Sequence, residues 1–219
     1  DLVFFGENEA EYGNPVSDNL NSLRDKSYYT YDNIKEIYLA GTKVSDLVKK
    51  YKINLSELSS YLPLSIDDFK KNNMQIHYLG YYIKWIPQEA YYYAVENTGF
   101  KARPNRTEGT YSKYNSIDDK IDDLHYYTRF IKFGIGRATD DASQEIRNNH
   151  ITREEAKSLV KRFDGEFPNR YFEEVMDSLQ IKPKNFFKLC DQFRSPHLWK
   201  KVKGEWKLRH NVNSDGVDD

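Results

Sequence analysis

Along the chain, apolar residues first gather in Leu2-Val3-Phe4-Phe5, an uninterrupted run closed by Gly6. Such a run reads as a short, fully buried parallel strand that delivers a loop, Glu7 to Gly13, at its carboxyl edge. No other strand-like run stands near it, so the segment reads as part of a longer sheet or as a strand paired across a dimer. From Asp18 to Asn73 the text is polar and helical, with apolar positions at Leu47, Val48 and Tyr51 and then at Leu55, Leu58 and Leu62, broken by Pro63. Ser65, ahead of Asp67 and Asp68, predicts a new helix start. Ile76 to Ile86 is rich in Tyr, Ile and Trp and predicts a strand that stops at Pro87.

The second half is patterned as helices. Pro87 suits the first helical position and Gly99 the C-terminal stop. Ser116 is read as the cap of a helix whose core face is Ile117, Ile121, Leu124 and Tyr127 or Thr128. Thr139 is read as opening another, with Asp140 and Asp141 in its first turn, where the macrodipole favours acids. Thr152-Arg153-Glu154-Glu155 is a capping box for a helix to Phe163. Pro168 and Pro183 each predict a further helix start, and Leu198 to Leu208 a hairpin turning at Lys203-Gly204. The pattern as a whole predicts a helix-dominated α+β fold with few strands, ending in a frayed tail from Asn213.

Composition adds exclusions. Lys plus Arg is 33 against 34 for Asp plus Glu, a formal net charge of -1. There is thus no global field to draw the chain onto nucleic acid or an anionic membrane, and any anion site must be local. One cysteine, Cys190, excludes an internal disulfide framework and a two-Cys-pair zinc site, and fits a reducing, cytoplasmic setting. No run approaches the roughly 20 apolar residues of a membrane helix. The five histidines show no metal-ligand spacing, and no Gly-x-x-x-x-Gly-Lys-Ser/Thr loop occurs.

Three segments pair glycine with charge in loops, where backbone can approach a ligand. The first is Gly6-Glu7-Asn8. The second runs from Glu108 through Gly109, Thr110, Ser112 and Lys113 to Asp118 and Asp119. The third is Lys132-Phe133-Gly134-Ile135-Gly136-Arg137, which leads into Asp140-Asp141 and Glu145-Ile146-Arg147. Lys113, Lys132 and Arg137 are candidates for phosphate, because cations beside freed amides and a helix N-terminus make an anion pocket. The carboxylates of Asp118 and Asp119 could hold Mg²⁺ together with phosphate and water.

These strings, with Glu11-Tyr12-Gly13, Tyr82-Ile83-Lys84-Trp85, His125-Tyr126-Tyr127, Arg153-Glu154 and Arg194-Ser195-Pro196-His197-Leu198-Trp199, carry a resemblance over Tyr78 to His210. The chain resembles the N-acetyl sugar amidotransferases of lipopolysaccharide and nonulosonic-acid biosynthesis, a branch of the PP-loop ATP pyrophosphatase superfamily. The resemblance implies an enzyme that uses ATP and Mg²⁺ to adenylylate the acetamido oxygen of a UDP-linked N-acetyl sugar or sugar acid. Ammonia from a partner glutaminase then displaces AMP and leaves an acetamidino group. It implies Glu7, Asn8, Glu108 and Lys113 in catalytic positions, Thr110, Ser112, Lys132 and Arg137 on the nucleotide phosphates, and Asp118 and Asp119 on the metal. It also implies that residues 1–16 end a nucleotide-binding sheet, 17–75 form a helical insertion, 76–212 an acceptor and phosphate-closing domain, and 213–219 a disordered tail. The family's Ser-Gly-Gly-x-Asp-Ser loop does not occur in these 219 residues and is expected upstream. A rival reading is a non-catalytic helical module that docks the glutaminase or forms a homo-oligomer, using the Tyr91-Tyr92-Tyr93 helix. RNA binding through Arg103 and Arg106 is disfavoured by the balanced charge.

Overall fold

The computed structural model describes residues 1–6 and 20–212, and its chain divides into two compact units, Asp1–Trp85 and Ile86–Asp219. The class is α+β with helix dominant.

In the first unit, β1 (Leu2–Phe5) runs parallel to β6 (Gln75–Tyr78) in the register Leu2 to Gln75 through Phe5 to Tyr78. The opening strand therefore has a partner within its own chain. It is also not fully buried, since Leu2 and Phe4 are exposed. A two-stranded parallel pair lacks the covering layers that would hide both its faces. β6 takes its other edge bonds from the Leu23 region, with Arg24 N–H on Ile76 C=O and Tyr78 N–H on Ser22 C=O, both at 2.9 Å. It stops at Tyr78, and the predicted continuation to Ile86 instead turns through a 3-10 helix, Leu79–Tyr81. Four residues of β1 give ladder partners only to Gln75–Tyr78, and a strand without a ladder is not held.

The region read as helical from Asp18 to Asn73 breaks into small pieces. β2 (Thr30–Tyr31) pairs with β5 (Leu64–Ser65), and β3 (Tyr38–Leu39) with β4 (Thr42–Lys43). Between and after them lie α1 (Val44–Lys49), α2 (Leu55–Leu58) and α3 (Ile66–Asn72). Ser65 does cap α3, its hydroxyl accepting Asp68 N–H at 3.1 Å. Left-handed backbone at Lys52 and Asn73 ends the helical runs that periodicity alone would extend.

The second unit opens with α4 (Pro87–Thr98), with Pro87 at the first turn and Gly99 at φ 72° as its stop. α5 (Asp122–Phe133) begins six residues after Ser116, which is itself left-handed and not a cap. Residues 117–121 are held off the helix by Asp119, whose carboxylate accepts Ile121 N–H at 2.6 Å, and by Arg103, which donates to Asp119 C=O at 2.7 Å. Ile117 and Ile121, assigned to the core from their spacing, are 39% and 45% exposed. α6 (Arg137–Arg147) starts at Arg137, two residues ahead of Thr139. α7 (Arg153–Phe163) has the capping box at Thr152 and Glu155. Pro168 lies buried in a turn, and α8 (Phe172–Ser178) starts beyond it. α9 (Pro183–Phe193) and the hairpin β7 (Trp199–Val202) with β8 (Glu205–Leu208) follow the sequence expectation, Lys203 and Gly204 both taking positive φ.

One core gathers Leu124 and Ile131 of α5, Val175 and Met176 of α8, and Phe186 and Cys190 of α9, with Phe167 and Phe172 packed against it. Burying each such side chain contributes about 1.5–3 kcal/mol. A smaller cluster of Ala142, Ala156 and Val160 joins α6 to α7, and Tyr111 packs on it. The small alanines let the two helices approach closely along one face.

Candidate functional site

The loop ahead of α5 is folded on itself. Thr107, fully buried, donates its N–H to Ser112 C=O at 2.9 Å and its hydroxyl to Asn115 C=O at 2.8 Å. Gly109, at φ 86°, turns the chain so that its N–H reaches Glu166 Oε2 at 2.9 Å while its C=O accepts Ala138 N–H at 3.1 Å. A side chain at Gly109 would strain this left-handed position. Arg106 bridges Glu166 and the Thr110 C=O, the latter at 3.0 Å. The loop is thereby fixed against the first turn of α6.

Asp164, from the end of α7, caps α6. It accepts Gly136 N–H and Thr139 N–H, each at 3.1 Å, and the Thr139 hydroxyl. A Cβ at Gly136 would stand 2.4 Å from Asp164 Oδ1, so glycine is what lets the cap approach. Burial pushes the Asp164 carboxyl above its ordinary range despite those three bonds.

α6 is packed on two faces. Ala138, Ala142 and Ile146 form the apolar one. One step round the helix, Arg137, Asp141, Glu145 and Asn148 recur at three- and four-residue spacing and form a polar stripe. Asp141 is its hub. Oδ1 accepts Arg137 Nε at 2.8 Å, and Oδ2 accepts Thr110 Oγ1 at 2.6 Å and Asn115 Nδ2 at 3.0 Å. Burial works against the Arg137 charge, but the Asp141 carboxylate and the Tyr126 ring beside it keep its pKa above the ordinary value. Glu145 is shifted upward by burial, which outweighs the Tyr111 hydroxyl and His150 near it. Tyr111 is raised by its own burial and by Glu145 and Asp141, and Tyr114 is pushed up to about 12 by the same causes. Both phenols stay protonated at neutral pH and act as hydroxyl groups. Arg137, Asp141, Glu145, Asn148, Tyr114 and Asn115 line a small cleft with His150 and with Gln88 of α4, which accepts from Tyr114 Oη at 3.1 Å.

Residues 108–213 match the family model described as LPS biosynthesis protein WbpG-like, C-terminal domain. The match supports a role in lipopolysaccharide biosynthesis, and it contains the loop from Glu108 together with the whole of α6. No curated protein matches the chain. No helix among the described residues is long and apolar enough to cross a membrane.

Within residues 108–213, three residues expected at the site from sequence come together. Thr110 and Arg137 share Asp141, and the Ser112 hydroxyl accepts Asn115 Nδ2 at 2.6 Å, the same amide that reaches Asp141. Glu108 is directed elsewhere, accepting Arg170 N–H at 3.0 Å. The Lys113 side chain is exposed and its C=O accepts Arg103 N–H at 2.9 Å. Lys132 is exposed at the end of α5, over the Phe133 ring. Asp118 and Asp119 are exposed, and one oxygen of Asp119 is used on Ile121 N–H. No group of three or more His, Cys, Asp or Glu among the described residues could hold a metal ion. What they offer Mg²⁺ is this pair of exposed acids, which fits only an ion held mainly by phosphate and water. Glu7 and Asn8 lie outside the described residues. Sequence reasoning did not single out Asn115, Asn148 or the particular role of Asp141 and Glu145. The four-residue spacing from Arg137 through Asp141 to Glu145 was the available signal.

Proposed function

We infer that this chain takes part in lipopolysaccharide biosynthesis as an ATP-dependent N-acetyl sugar amidotransferase, converting an acetamido group of a UDP-linked sugar to acetamidino with ammonia from a partner glutaminase. The observation that carries the reading is the WbpG-like match over residues 108–213, which holds Ser112, Tyr114, Arg137 and Glu145, residues of the resembling strings that line one polar cleft. An amide oxygen is a poor leaving group, and ATP with Mg²⁺ would supply its activation. The chain's own contribution is positional. Asp141 holds Arg137, and Thr110 and Asn115 hold Asp141, the kind of fixed polar arrangement that preorganisation requires. Lys113 and Lys132 are exposed and would meet phosphate. Supplying the full-length protein with ATP, Mg²⁺, ammonia and a panel of UDP-linked N-acetyl sugars should replace one oxygen of the sugar by NH, read by mass spectrometry, with release of AMP. Unchanged sugars throughout the panel would refute the reading.

A second reading has one observation in its favour. None of the twelve residues of α4 is buried, and Tyr92 and Tyr93 are 54% and 67% exposed. A helix so placed suits an interface with the glutaminase, since Tyr is enriched there. Tyr92→Ser with Tyr93→Ser should then abolish co-elution with that subunit while leaving the ammonia-driven reaction intact.

A further inference from the structure

Along the packed seam of α6 and α7 the surface is hollowed twice. The first hollow, about 220 Å³, lies over the seam itself, where Ala142 and Ala156 carry side chains too short to fill the outer edge and Ile146 and Val160 wall it. The second, about 440 Å³, lies beside Gly134, which has no side chain, between Phe130, Ile135, Leu208 and Val212. Thr139, Val160 and Val212 line both hollows, which makes them neighbours in one trough. Ile135 is 45% exposed and Val212 41%, so part of this apolar lining is in water and its burial would be favourable.

Charge along the trough selects the occupant. Arg153, Lys157 and Lys161 recur every four residues on α7 and line it, a rail with roughly 6 Å between successive cations. His210 lines the second hollow as well. Asp164 is the acid of the lining, but its oxygens are used on the Gly136 and Thr139 amides and the Thr139 hydroxyl. Glu154 meets Lys157 at 3.3 Å and Arg153 at 3.6 Å with its own side chain 74% exposed, a surface pairing that another acid displaces at small cost. A phosphate headgroup gathers its charge at one point. A rail about 12 Å long is matched instead by acids one turn apart on a helix, which repeat at the same interval. The hollows fit the same partner. The first takes Arg153 to Val160 of α7 and the second Val160 to Asp164, so their middles lie roughly 8 Å apart along the axis, the separation of apolar side chains four to seven residues apart on one helical face. An amphipathic helix laid in a groove is held by such anchors.

We propose that the trough is a docking surface for an acidic amphipathic helix of another protein, with two large apolar side chains seated in the hollows and an Asp or Glu flank along Arg153, Lys157 and Lys161. None of the residues lining the polar cleft lines the trough, so the proposal stands apart from the sugar chemistry above. It is tested by selecting a phage-displayed library of helical peptides against the full-length protein and measuring the winners, as labelled synthetic peptides, by fluorescence anisotropy. The winners carry two large apolar residues four to seven positions apart with Asp or Glu beside them. Ile135→Glu, which places a carboxylate in the second hollow at an exposed position, and Arg153→Glu combined with Lys161→Glu, both exposed, each weaken them about tenfold or more, whereas Lys184→Glu on α9 does not. Affinity also falls as salt is raised. Melting curves establish that the variants are folded. The proposal falls if no peptide is enriched over the unselected library, if the winners lack the acids, or if their affinity survives both trough variants. It falls too if vesicles of anionic phospholipid bind through Ile135 and Lys161 while peptides do not, since the occupant is then a lipid.

Discussion

Replacing Asp141 by Ala removes the hub that joins the 107–115 loop to α6. Three donors lose their acceptor at once: the Arg137 guanidinium at 2.8 Å, the Thr110 hydroxyl at 2.6 Å and the Asn115 amide at 3.0 Å. Thr110 is completely buried, so water cannot take over there. Hydrogen bonds to a charged group are worth about 1.5–3 kcal/mol each, but they are not additive around one carboxylate. Breaking a buried ion pair by deleting one partner costs about 3–5 kcal/mol. The Arg137 and Asp141 side chains are 29% and 13% exposed, so solvent relieves part of that and the low end applies. The expected loss is about 3 kcal/mol, or about 6–12 °C in Tm for a chain of this length. Asp141→Asn keeps the shape and should cost about half as much, because one donor then faces an NH₂ group instead of an oxygen. Urea unfolding followed by circular dichroism gives the midpoints at constant slope. Thr110→Val completes a double-mutant cycle, with an expected coupling of about 1 kcal/mol. A loss under about 1 kcal/mol for Asp141→Ala, or no coupling to Thr110, would refute the hub.

Three further outcomes follow from local geometry. Gly165→Ala should destabilise by about 2–4 kcal/mol, because its φ is +75° and the new Cβ would sit 2.3 Å from Phe130 Cε1; Gly204→Ala, at φ +88° with open space around it, should cost only about 1 kcal/mol in the same melting assay. Cys190 is buried with its thiol pushed up by desolvation, so it should resist a thiol reagent until denaturant is added, and rapid labelling of the native protein would contradict the packing. Burial would raise the Glu166 carboxyl, but the Arg106 bond, the Gly109 amide and the charges of Arg106 and Arg170 win and hold it below its ordinary 4.5. Its stabilisation is therefore present above pH 4.5 and lost as pH falls through the lowered value, so Glu166→Gln should flatten the acid side of the stability curve, whereas an unchanged slope would show that the pair contributes nothing to acid unfolding.

What could be read from sequence were signals whose cause lies within a few residues. Pro87 and Gly99 bracket α4, Thr152 and Glu155 cap α7, Pro183 opens α9, and Lys203-Gly204 turns the hairpin, all as local chemistry requires. The misreadings came where a distant partner decided the outcome. Arg103 diverts residues 117–121 from helix through bonds to Asp119 and Asp123, sixteen and twenty residues away. Asp164 caps α6 from 25 residues downstream, so the helix begins at Arg137 and not at Thr139. β6 ends where β1 runs out of residues to pair with it. The candidate site divides on the same line. Gly109, Thr110, Ser112 and Arg137 stood out as glycine and charge in loops, but the carboxylate that unites them reaches Thr110 across 31 residues and Asn115 across 26, a meeting that no short motif encodes.

α6 itself shows why the polar stripe calls for an explanation beyond stability. Its apolar side already docks onto α7 through Ala142, Ala156 and Val160. Asp141 and Glu145 are like charges four residues apart on one helical face, a spacing that disfavours the helix. Glu145 is also desolvated enough for its carboxyl to be raised, a cost to the folded state at neutral pH. Asn148 adds a buried amide without an acceptor among the described residues. A helix under selection for packing alone would place apolar or solvated residues at these positions. The three unfavourable choices share one face and line one cleft, which is where a departure from packing rules is expected to mark function.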